Sequence, residues 1–317
     1  MPWVVGVDEA GYGPNLGPLV QVAAAVRLPD HDPAGWDTLR PAVRRCCDPD
    51  DDRLLVDDSK KVYAGPRGLA RLERGVLAGF QLFEAEVASV IRKTTAPWVA
   101  DELAREPWYD PAAAVPLATA GDGVVADYSR LCDRLAGAEF RMTLPDGLVV
   151  PAGRFNRITD EAGSKAAVLG RGLVELLAAA LDKLPRDGVP LVVHCDKHGG
   201  RNFYAAMLQQ AFPAGWVVAA CESAAESRYR VANLDREVEV VFRPRADAES
   251  VAVALASMLA KYLREVCMAQ FNAFWQKHVP GLKPTAGYPG DAKRFYDAIR
   301  PAMAGLGIPA DAVWRKK

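Results

Sequence analysis

The chain has 317 residues, of which half are apolar and a quarter are charged. This length and apolar content allow a large buried core, which excludes collagen-like, disulfide-scaffold and predominantly disordered proteins. Lys and Arg number 39 against 40 Asp and Glu, so the net charge is −1 and there is no overall basic footprint for nucleic acid. A basic groove beside an acidic metal site would cancel in that sum.

The cysteines and the amino terminus indicate a cytoplasmic protein. Six cysteines are present without a Cys-x-x-Cys pair, and Cys46 and Cys47 are adjacent, so we expect free thiols rather than disulfides or a zinc site. No basic segment precedes the acidic pair Asp8-Glu9, and no apolar run reaches about 18 residues, so neither a signal peptide nor a membrane span is expected. Nothing in the sequence implies a protein partner.

The first quarter of the chain predicts three strands and one helix. Residues 3–7 form a β-branched run that ends at Asp8, and residues 18–28 follow closely enough to pair with it antiparallel. Pro66 opens a helix with one apolar face, and residues 83–91 alternate like a third strand.

Residues 94–150 differ from their surroundings because prolines punctuate them. A short helix fits residues 126–135 and a hairpin fits residues 140–150, so we predict an inserted subdomain here. Beyond it, Thr159 is expected to cap a long helix that ends near residue 184.

The second half alternates strands with helices, which together with the early strands predicts a mixed α/β sheet of three antiparallel strands extended by parallel ones. We divide the chain into a core of residues 1–93 and 151–260, the insertion at 94–150 and a helical C-terminal part at 261–317. The elements expected after residue 185 are strands at 189–194 and 216–221, a helix at 201–212, an extra hairpin near 222–242, and helices at 247–274 and 292–303.

Two carboxylates, Asp8 and Glu9, follow the first strand. On a regular strand their side chains would face opposite ways, so both reach one site only if the backbone turns. Gly11 and Gly13 permit such a turn. The alternative is a strand end with a solvated acidic pair.

A charged segment at residues 57–61 contains Ser59, Lys60 and Lys61, which suit phosphate contacts. A solvated loop is the alternative, since charged loops are common. Asp196 ends a later apolar strand, at the position where α/β sheets place their sites, and could instead cap the next helix.

Asp247 opens a helix rich in small residues, where it could bind a ligand or serve as an N-cap that complements the helix dipole. Two histidines flank Asp196. His194 lies inside the apolar strand and is expected to be a core histidine, while His198 is expected in a loop. Acidic side chains at strand ends, without a cysteine cluster, are hard oxygen ligands suited to Mg²⁺ or Mn²⁺, and two such ions form the phosphodiester clamp of nucleases.

Five blocks of the sequence resemble type 2 ribonuclease H, also called ribonuclease HII, and they occur in that family's order. They span nearly the whole chain. The blocks are Gly6-Val7-Asp8-Glu9-Ala10-Gly11-x-Gly13-Pro14, Asp58-Ser59-Lys60-Lys61, the strand-end Asp196, Ala246-Asp247 with Ala256-Ser257-x-Leu259-Ala260-Lys261, and Gly287-Tyr288-Pro289-Gly290-Asp291.

The resemblance implies a ribonuclease H-like fold, with a five-stranded mixed sheet flanked by helices and a helical C-terminal part. It implies a metal-dependent endonuclease that cleaves RNA in RNA–DNA hybrids or beside ribonucleotides embedded in duplex DNA, leaving a 3′-hydroxyl. The ligands of a two-ion site would be Asp8, Glu9, Asp196 and Asp247. The substrate contacts would be Gly11, Tyr12, Gly13, Ser59, Lys60, Lys61, Arg245 and Tyr288.

One position departs from the family pattern. The family's first motif usually reads Gly-Arg-Gly, whereas this chain has Gly11-Tyr12-Gly13. Tyr12 cannot supply the cation, though it could stack or hydrogen-bond. Two alternatives therefore stay open, a nuclease of the same fold with another nucleic-acid substrate and a non-catalytic nucleic-acid-binding module.

Overall fold

The computed structural model describes residues 1–45 and 50–316, so Cys46 and Cys47 lie outside the described residues. The strands are β1 Trp3–Ala10, β2 Leu19–Arg27, β3 Val43–Arg44, β4 Leu54–Leu55, β5 Arg141–Met142, β6 Asp146–Val150, β7 Leu191–Asp196, β8 Trp216–Glu222, β9 Ser227–Ala232 and β10 Val238–Arg243. The helices are α1 Trp36–Leu39, α2 Ser59–Tyr63, α3 Gly68–Gly79, α4 Val87–Thr94, α5 Trp98–Leu103, α6 Gly121–Arg134, α7 Ala152–Ala162, α8 Ala166–Lys183, α9 Ala205–Ala211, α10 Ala246–Glu249, α11 Val251–His278, α12 Pro289–Leu306 and α13 Ala310–Val313.

The main sheet has the mixed α/β architecture that the sequence predicts. β1 pairs antiparallel with β2 and parallel with β7, and β7 pairs parallel with β10. β6 pairs antiparallel with β2, so the five strands run in the order β6-β2-β1-β7-β10. Three antiparallel strands extended by two parallel ones are therefore confirmed. β5, β9 and β8 enlarge the predicted five-stranded sheet to eight strands.

The third strand of the sheet is not where the sequence analysis placed it. Residues 83–91 were predicted as a strand, but Val87–Thr94 is the helix α4. Val87, Val90 and Ile91 are buried on one side of that helix. Their spacing is that of a helix face, and it outweighs the short alternation that precedes it. The third strand is β6.

The end of the predicted insertion belongs to the main sheet. β5 and β6 each pair with β2, one after the other, instead of pairing with each other as the predicted hairpin at 140–150 would. Val99 of α5 and Val124 of α6 are buried in the same core as α3 and α11. The stretch from 94 to 150 therefore shares both the sheet and the core of the chain around it.

The long helix predicted from Thr159 is two helices. α7 ends at Gly163, whose φ of 66° is left-handed and stops the helix, and α8 begins at Ala166. Thr159 lies inside α7, where its hydroxyl donates to the Phe155 carbonyl at 2.8 Å.

Two layers of helices cover the faces of the sheet. α11 lies on one face of β1 and β2, and α8 lies on the other. The closest approach is at Gly6 of β1, where an added Cβ would stand 2.1 Å from the carbonyl carbon of Ala252. Within the described residues, no helix is both long and apolar enough to cross a membrane.

Candidate active site

The four predicted acids come from two parallel strands, β1 and β7, and from the helix that follows a third, β10. Asp8 and Glu9 lie near the carboxyl end of β1, and Asp196 is the last residue of β7. Asp247 is in α10, four residues after β10 ends. Because the carboxyl ends of parallel strands meet at one edge of a sheet, the topology brings these side chains to the same place.

Asp8 is buried at the centre of this group. Its Oδ1 accepts a hydrogen bond from the Glu9 amide at 2.8 Å, and its carboxyl is hydrogen-bonded to the Ser257 side chain. Burial raises the pKa of Asp8 to about 7, with smaller contributions in the same direction from Asp196 and Asp247. Asp8 therefore lies within electrostatic reach of Asp196 on β7 and Asp247 on α10.

The same environment perturbs Glu9 and Asp247. Burial, followed by the charges of Asp8 and Asp196, raises the pKa of Glu9 to about 8. Burial also raises the pKa of Asp247, as do Asp58 and Asp196. In both cases the nearby Lys60 ammonium opposes the rise. The acids thus form one electrostatic cluster with Lys60 beside it.

Asp58 is a fifth acid at this cluster, and the sequence analysis did not assign it a role. Its Oδ1 accepts from the Lys60 amide at 2.8 Å, so it caps α2. It is also the acid that raises the pKa of Asp247 most. The sequence pattern shows only the cap, because the approach of α2 to α10 depends on the tertiary fold.

Two of the residues predicted to contact phosphate interact with other residues of this chain. Ser59 is buried, and its hydroxyl lies 3.0 Å from the Ser257 hydroxyl, which links α2 through Ser257 to Asp8. Lys61 is exposed, and its ammonium pairs with the buried Asp57 at 3.3 Å. Burial of Ser59 argues against its predicted phosphate contact.

Arg245 and Tyr288 remain open to solvent. Arg245 adopts a left-handed backbone with φ of 59° directly before α10, and its side chain is exposed. Tyr288 precedes α12 and is 52% exposed. Both side chains are therefore accessible, and their contact with a substrate stays a prediction.

The loop that follows Glu9 is hydrogen-bonded to a residue near the carboxyl end of the chain. Gly11 has φ of 86°, the conformation that the predicted backbone turn requires. The Arg315 guanidinium, buried with 1% exposure, donates to the Gly11 carbonyl at 2.6 Å and to the Pro14 carbonyl. Nothing in the local sequence signals this contact, because the partners are 304 and 301 residues apart.

Three cations surround Tyr12, the residue that replaces the expected arginine. The Lys165 ammonium lies 4.8 Å from the centre of the Tyr12 ring. Burial raises the pKa of the Tyr12 hydroxyl and Glu9 adds to the rise, while Arg201 and Arg315 oppose it. Positive charge therefore reaches this loop from other parts of the chain.

The two histidines near Asp196 are neutral at pH 7. Burial, reinforced by Arg243, lowers the pKa of His194 to about 4, and burial also lowers the pKa of His198 to about 4. His194 is half-buried rather than in the core, and lines a cavity of about 150 Å³ with Val241 and Ser250.

The acids are of the ligand type that a divalent cation prefers, but their side chains do not converge on one point. In residues 1–45 and 50–316, no three His, Cys, Asp or Glu side chains come close enough together to hold a metal ion. All the donors at the edge are nonetheless carboxylates, which Mg²⁺ and Mn²⁺ prefer. The raised pKa values of Asp8 and Glu9 show that ionising them together is unfavourable without a cation.

Comparisons with known proteins found similarity among solved structures. No protein-family model and no curated protein matches the chain. Among solved structures, ribonuclease H2 from Pyrococcus horikoshii OT3 is similar at 15% identity over 98% of this chain and 92% of that chain, with a TM-score of 0.46. The ribonuclease HII of a PCNA:RNase HII complex from Archaeoglobus fulgidus is 14% identical over 99% and 94%, with a TM-score of 0.42. Bst-RNase HIII in complex with Mn²⁺ is 16% identical over 99% and 66%, with a TM-score of 0.41.

Proposed function

We propose that this chain is a metal-dependent endoribonuclease that cleaves RNA in RNA–DNA hybrids or beside ribonucleotides embedded in duplex DNA. The observation that carries the proposal is the acid cluster at the carboxyl edge of three parallel strands, in which Asp196 lies within electrostatic reach of Asp8, Glu9 and Asp247. Buried carboxylates with pKa values raised to about 7 and 8 are costly to a fold and are typical of functional sites.

Each part of the cluster has a role in this proposal. The four acids would hold two divalent ions, which supply an activated water and a stabilised leaving oxygen when bound. Ser257 orients the Asp8 carboxyl, and Ser59 in turn contacts Ser257. Lys60 opposes the rise in the pKa of both Glu9 and Asp247, and so offsets part of the negative charge of the cluster.

The substrate would lie across the exposed side of the cluster. Backbone groups of Gly11 and Gly13 are available to read a ribose 2′-hydroxyl, because Arg315 fixes the turn that presents them. Tyr288 is exposed enough to stack on a base or sugar at the RNA–DNA junction. Arg245 is exposed two residues before Asp247, where it would meet the phosphate backbone.

The test is a cleavage panel with Mg²⁺ and with Mn²⁺. The substrates are an RNA–DNA hybrid, a DNA duplex with one ribonucleotide, duplex RNA and duplex DNA. We expect cleavage of the first two only. The variants Asp8→Asn, Asp196→Asn and Asp247→Asn should each abolish it while the protein stays folded, and Asp182→Asn, an exposed acid near the end of α8, is the matched control.

A second function, nucleic-acid binding without cleavage, is favoured by one observation. The acids of the described chain are not gathered into a closed metal-binding group. A Mg²⁺ titration followed by thermal unfolding separates the two functions, because an ion that binds only the folded state raises its stability. Stabilisation that disappears in Asp196→Asn supports the nuclease, and no stabilisation in the wild type supports the binding module.

A further inference from the structure

We propose that Lys165 and Arg201 bind phosphates of the nucleic-acid strand beside Tyr12, and so supply the positive charge that this loop lacks at position 12. The inference rests on the proposed function for the identity of the substrate. Its ligand class is the phosphodiester group, which these side chains would contact without reading the base or the sugar.

The position of the two side chains is the first observation. Lys165 precedes α8, and its ammonium lies 4.8 Å from the centre of the Tyr12 ring. Arg201 lies in the segment between β7 and α9, after Gly199 and Gly200, and is close enough to Tyr12 to affect its hydroxyl. Two separate segments of the chain therefore bring a cation to the same loop, next to Glu9.

Their lack of acidic partners is the second observation. Some cations around the site are paired, such as Lys61 with Asp57, and Arg243 with both Glu226 and Glu249. In the described part of the chain, neither Lys165 nor Arg201 forms a salt bridge, and neither side chain donates a hydrogen bond.

The phosphates of a bound nucleic-acid strand would pair with these two charges. The strand carries a phosphate at every nucleotide, and the acid cluster repels those phosphates until cations offset it. Lys60 is the lysine that acts on Glu9 and Asp247 directly, on the side of α2. Lys165 and Arg201 act instead at the loop that follows Glu9, where the neighbouring phosphates of a bound strand would pass.

The buried Arg315 explains why the loop needs these two residues. Its guanidinium is close to Tyr12, but it is 1% exposed and its Nη2 donates to the carbonyls of Gly11 and Pro14. A phosphate in solution cannot reach it. Lys165 and Arg201 are only half-buried, and are therefore the cations at this loop that a substrate can contact.

The test measures binding of a short DNA duplex, and of the same duplex with one ribonucleotide, by fluorescence anisotropy. EDTA is present throughout, so that no cleavage occurs, and salt is varied between about 50 and 200 mM. The variants are Lys165→Gln, Arg201→Gln and the double variant. Lys277→Gln is the matched control, since this exposed lysine near the end of α11 is about 39 Å along that helix from Val251.

Each single variant should weaken binding of both duplexes by about fivefold and lower the slope of log affinity against log salt by about 0.9. The double variant should lower the slope by about twice as much, and Lys277→Gln should change nothing. The charge-preserving variants Lys165→Arg and Arg201→Lys should keep the wild-type slope. A wild-type slope in the double variant, or an equal loss in the charge-preserving variants, would overturn the proposal.

The outcome also separates this inference from the proposed function. If the wild type binds with the expected slope changes but cleaves neither a hybrid nor a ribonucleotide-containing duplex with Mg²⁺ or Mn²⁺, the phosphate contacts stand and the nuclease activity fails. If the wild type binds no duplex, both proposals fail. If it cleaves while the double variant keeps wild-type affinity and slope, only the role of Lys165 and Arg201 is overturned.

Discussion

Replacing Asp8 by Asn should stabilise the metal-free protein at neutral pH, although it removes a proposed ligand. Burial raises the pKa of Asp8 from 3.8 to about 7 in the folded state. Between these two values the unfolded chain releases a proton that the folded chain keeps. Stability is therefore lost as the pH rises from about 4 to about 7, and the loss is complete above the folded pKa. Asn carries no such cost, because it does not ionise.

The structure sets the size of the effect. The pKa of Asp8 is higher by about 3 in the folded state, which lowers the free energy of unfolding at pH 8 by about 4 kcal/mol, since each pKa unit is worth about 1.4 kcal/mol. The buried amide of Asn keeps a desolvation cost of about 1–3 kcal/mol, which offsets part of that gain. We therefore expect Asp8→Asn to be more stable than the wild type by about 1–3 kcal/mol at pH 8 and less stable than it by about 1–3 kcal/mol near pH 4, where the carboxyl is neutral and only the cost of the amide remains.

Urea unfolding in EDTA at pH 4.5 and at pH 8 measures this difference. Asp182→Asn is the control, because Asp182 is exposed and its charge carries no burial cost. Adding Mg²⁺ at pH 8 should reverse the order, since the wild type gains the ion's binding energy and the variant loses a ligand. If Asp8→Asn is less stable than the wild type in EDTA at pH 8, then ionising the buried Asp8 carboxyl does not destabilise the folded protein as described above.

Three further predictions, which use four substitutions, test the loop and the strand that support the site. Gly6→Ala should lower the free energy of unfolding in urea by about 2 kcal/mol or more, because its Cβ would meet the α11 backbone at 2.1 Å. Gly13→Ala is the control and should leave the free energy of unfolding unchanged, because no atom lies within 4 Å of its added Cβ. Arg315→Met should lower the free energy of unfolding by about 2 kcal/mol and speed amide hydrogen exchange in the Tyr12 loop, because the carbonyls of Gly11 and Pro14 lose their donor. Unchanged exchange would show that Arg315 does not fix this loop. Tyr12→Arg should lower the melting temperature at low salt and recover near 0.5 M salt, because it adds a cation beside Lys165; a salt-independent melting temperature would show that these charges are not close.

Much of the site's framework could be predicted from local pattern. The β-branched run before Asp8 and the apolar run before Asp196 predict strands β1 and β7, and the structure places both acids at the same edge. The turn at Gly11 follows from glycine's freedom at positive φ, which the structure has there. Each of these inferences needs only a few neighbouring residues.

The errors arose where two patterns competed over a short stretch. Residues 83–91 alternate at their start, but the buried residues Val87, Val90 and Ile91 repeat at helical spacing and form α4. The true third strand, β6, is five residues long and was read as half of a hairpin, since its partner β2 is more than a hundred residues away. Replacing residues 96–150 by a linker would therefore remove a strand of the main sheet along with the insertion.

The contacts that complete the site could not be predicted because they join distant segments. Asp58 reaches Asp247 through the packing of α2 near α10, and Arg315 holds Gly11 across the length of the chain. Lys165 meets Tyr12 only because Gly163 ends α7 and lets the chain turn before α8. None of these pairs leaves a spacing signal in the sequence.

The central claim is that the acid cluster directs water, with divalent ions, onto a phosphodiester bond beside a ribonucleotide. The most direct test is mass spectrometry of the products formed from a DNA duplex with a single ribonucleotide. Our account predicts a 3′-hydroxyl and a 5′-phosphate, formed only with Mg²⁺ or Mn²⁺ and absent in Asp196→Asn. A 2′,3′-cyclic phosphate, which forms when the ribose hydroxyl attacks instead of water, or products that persist in EDTA, would contradict it.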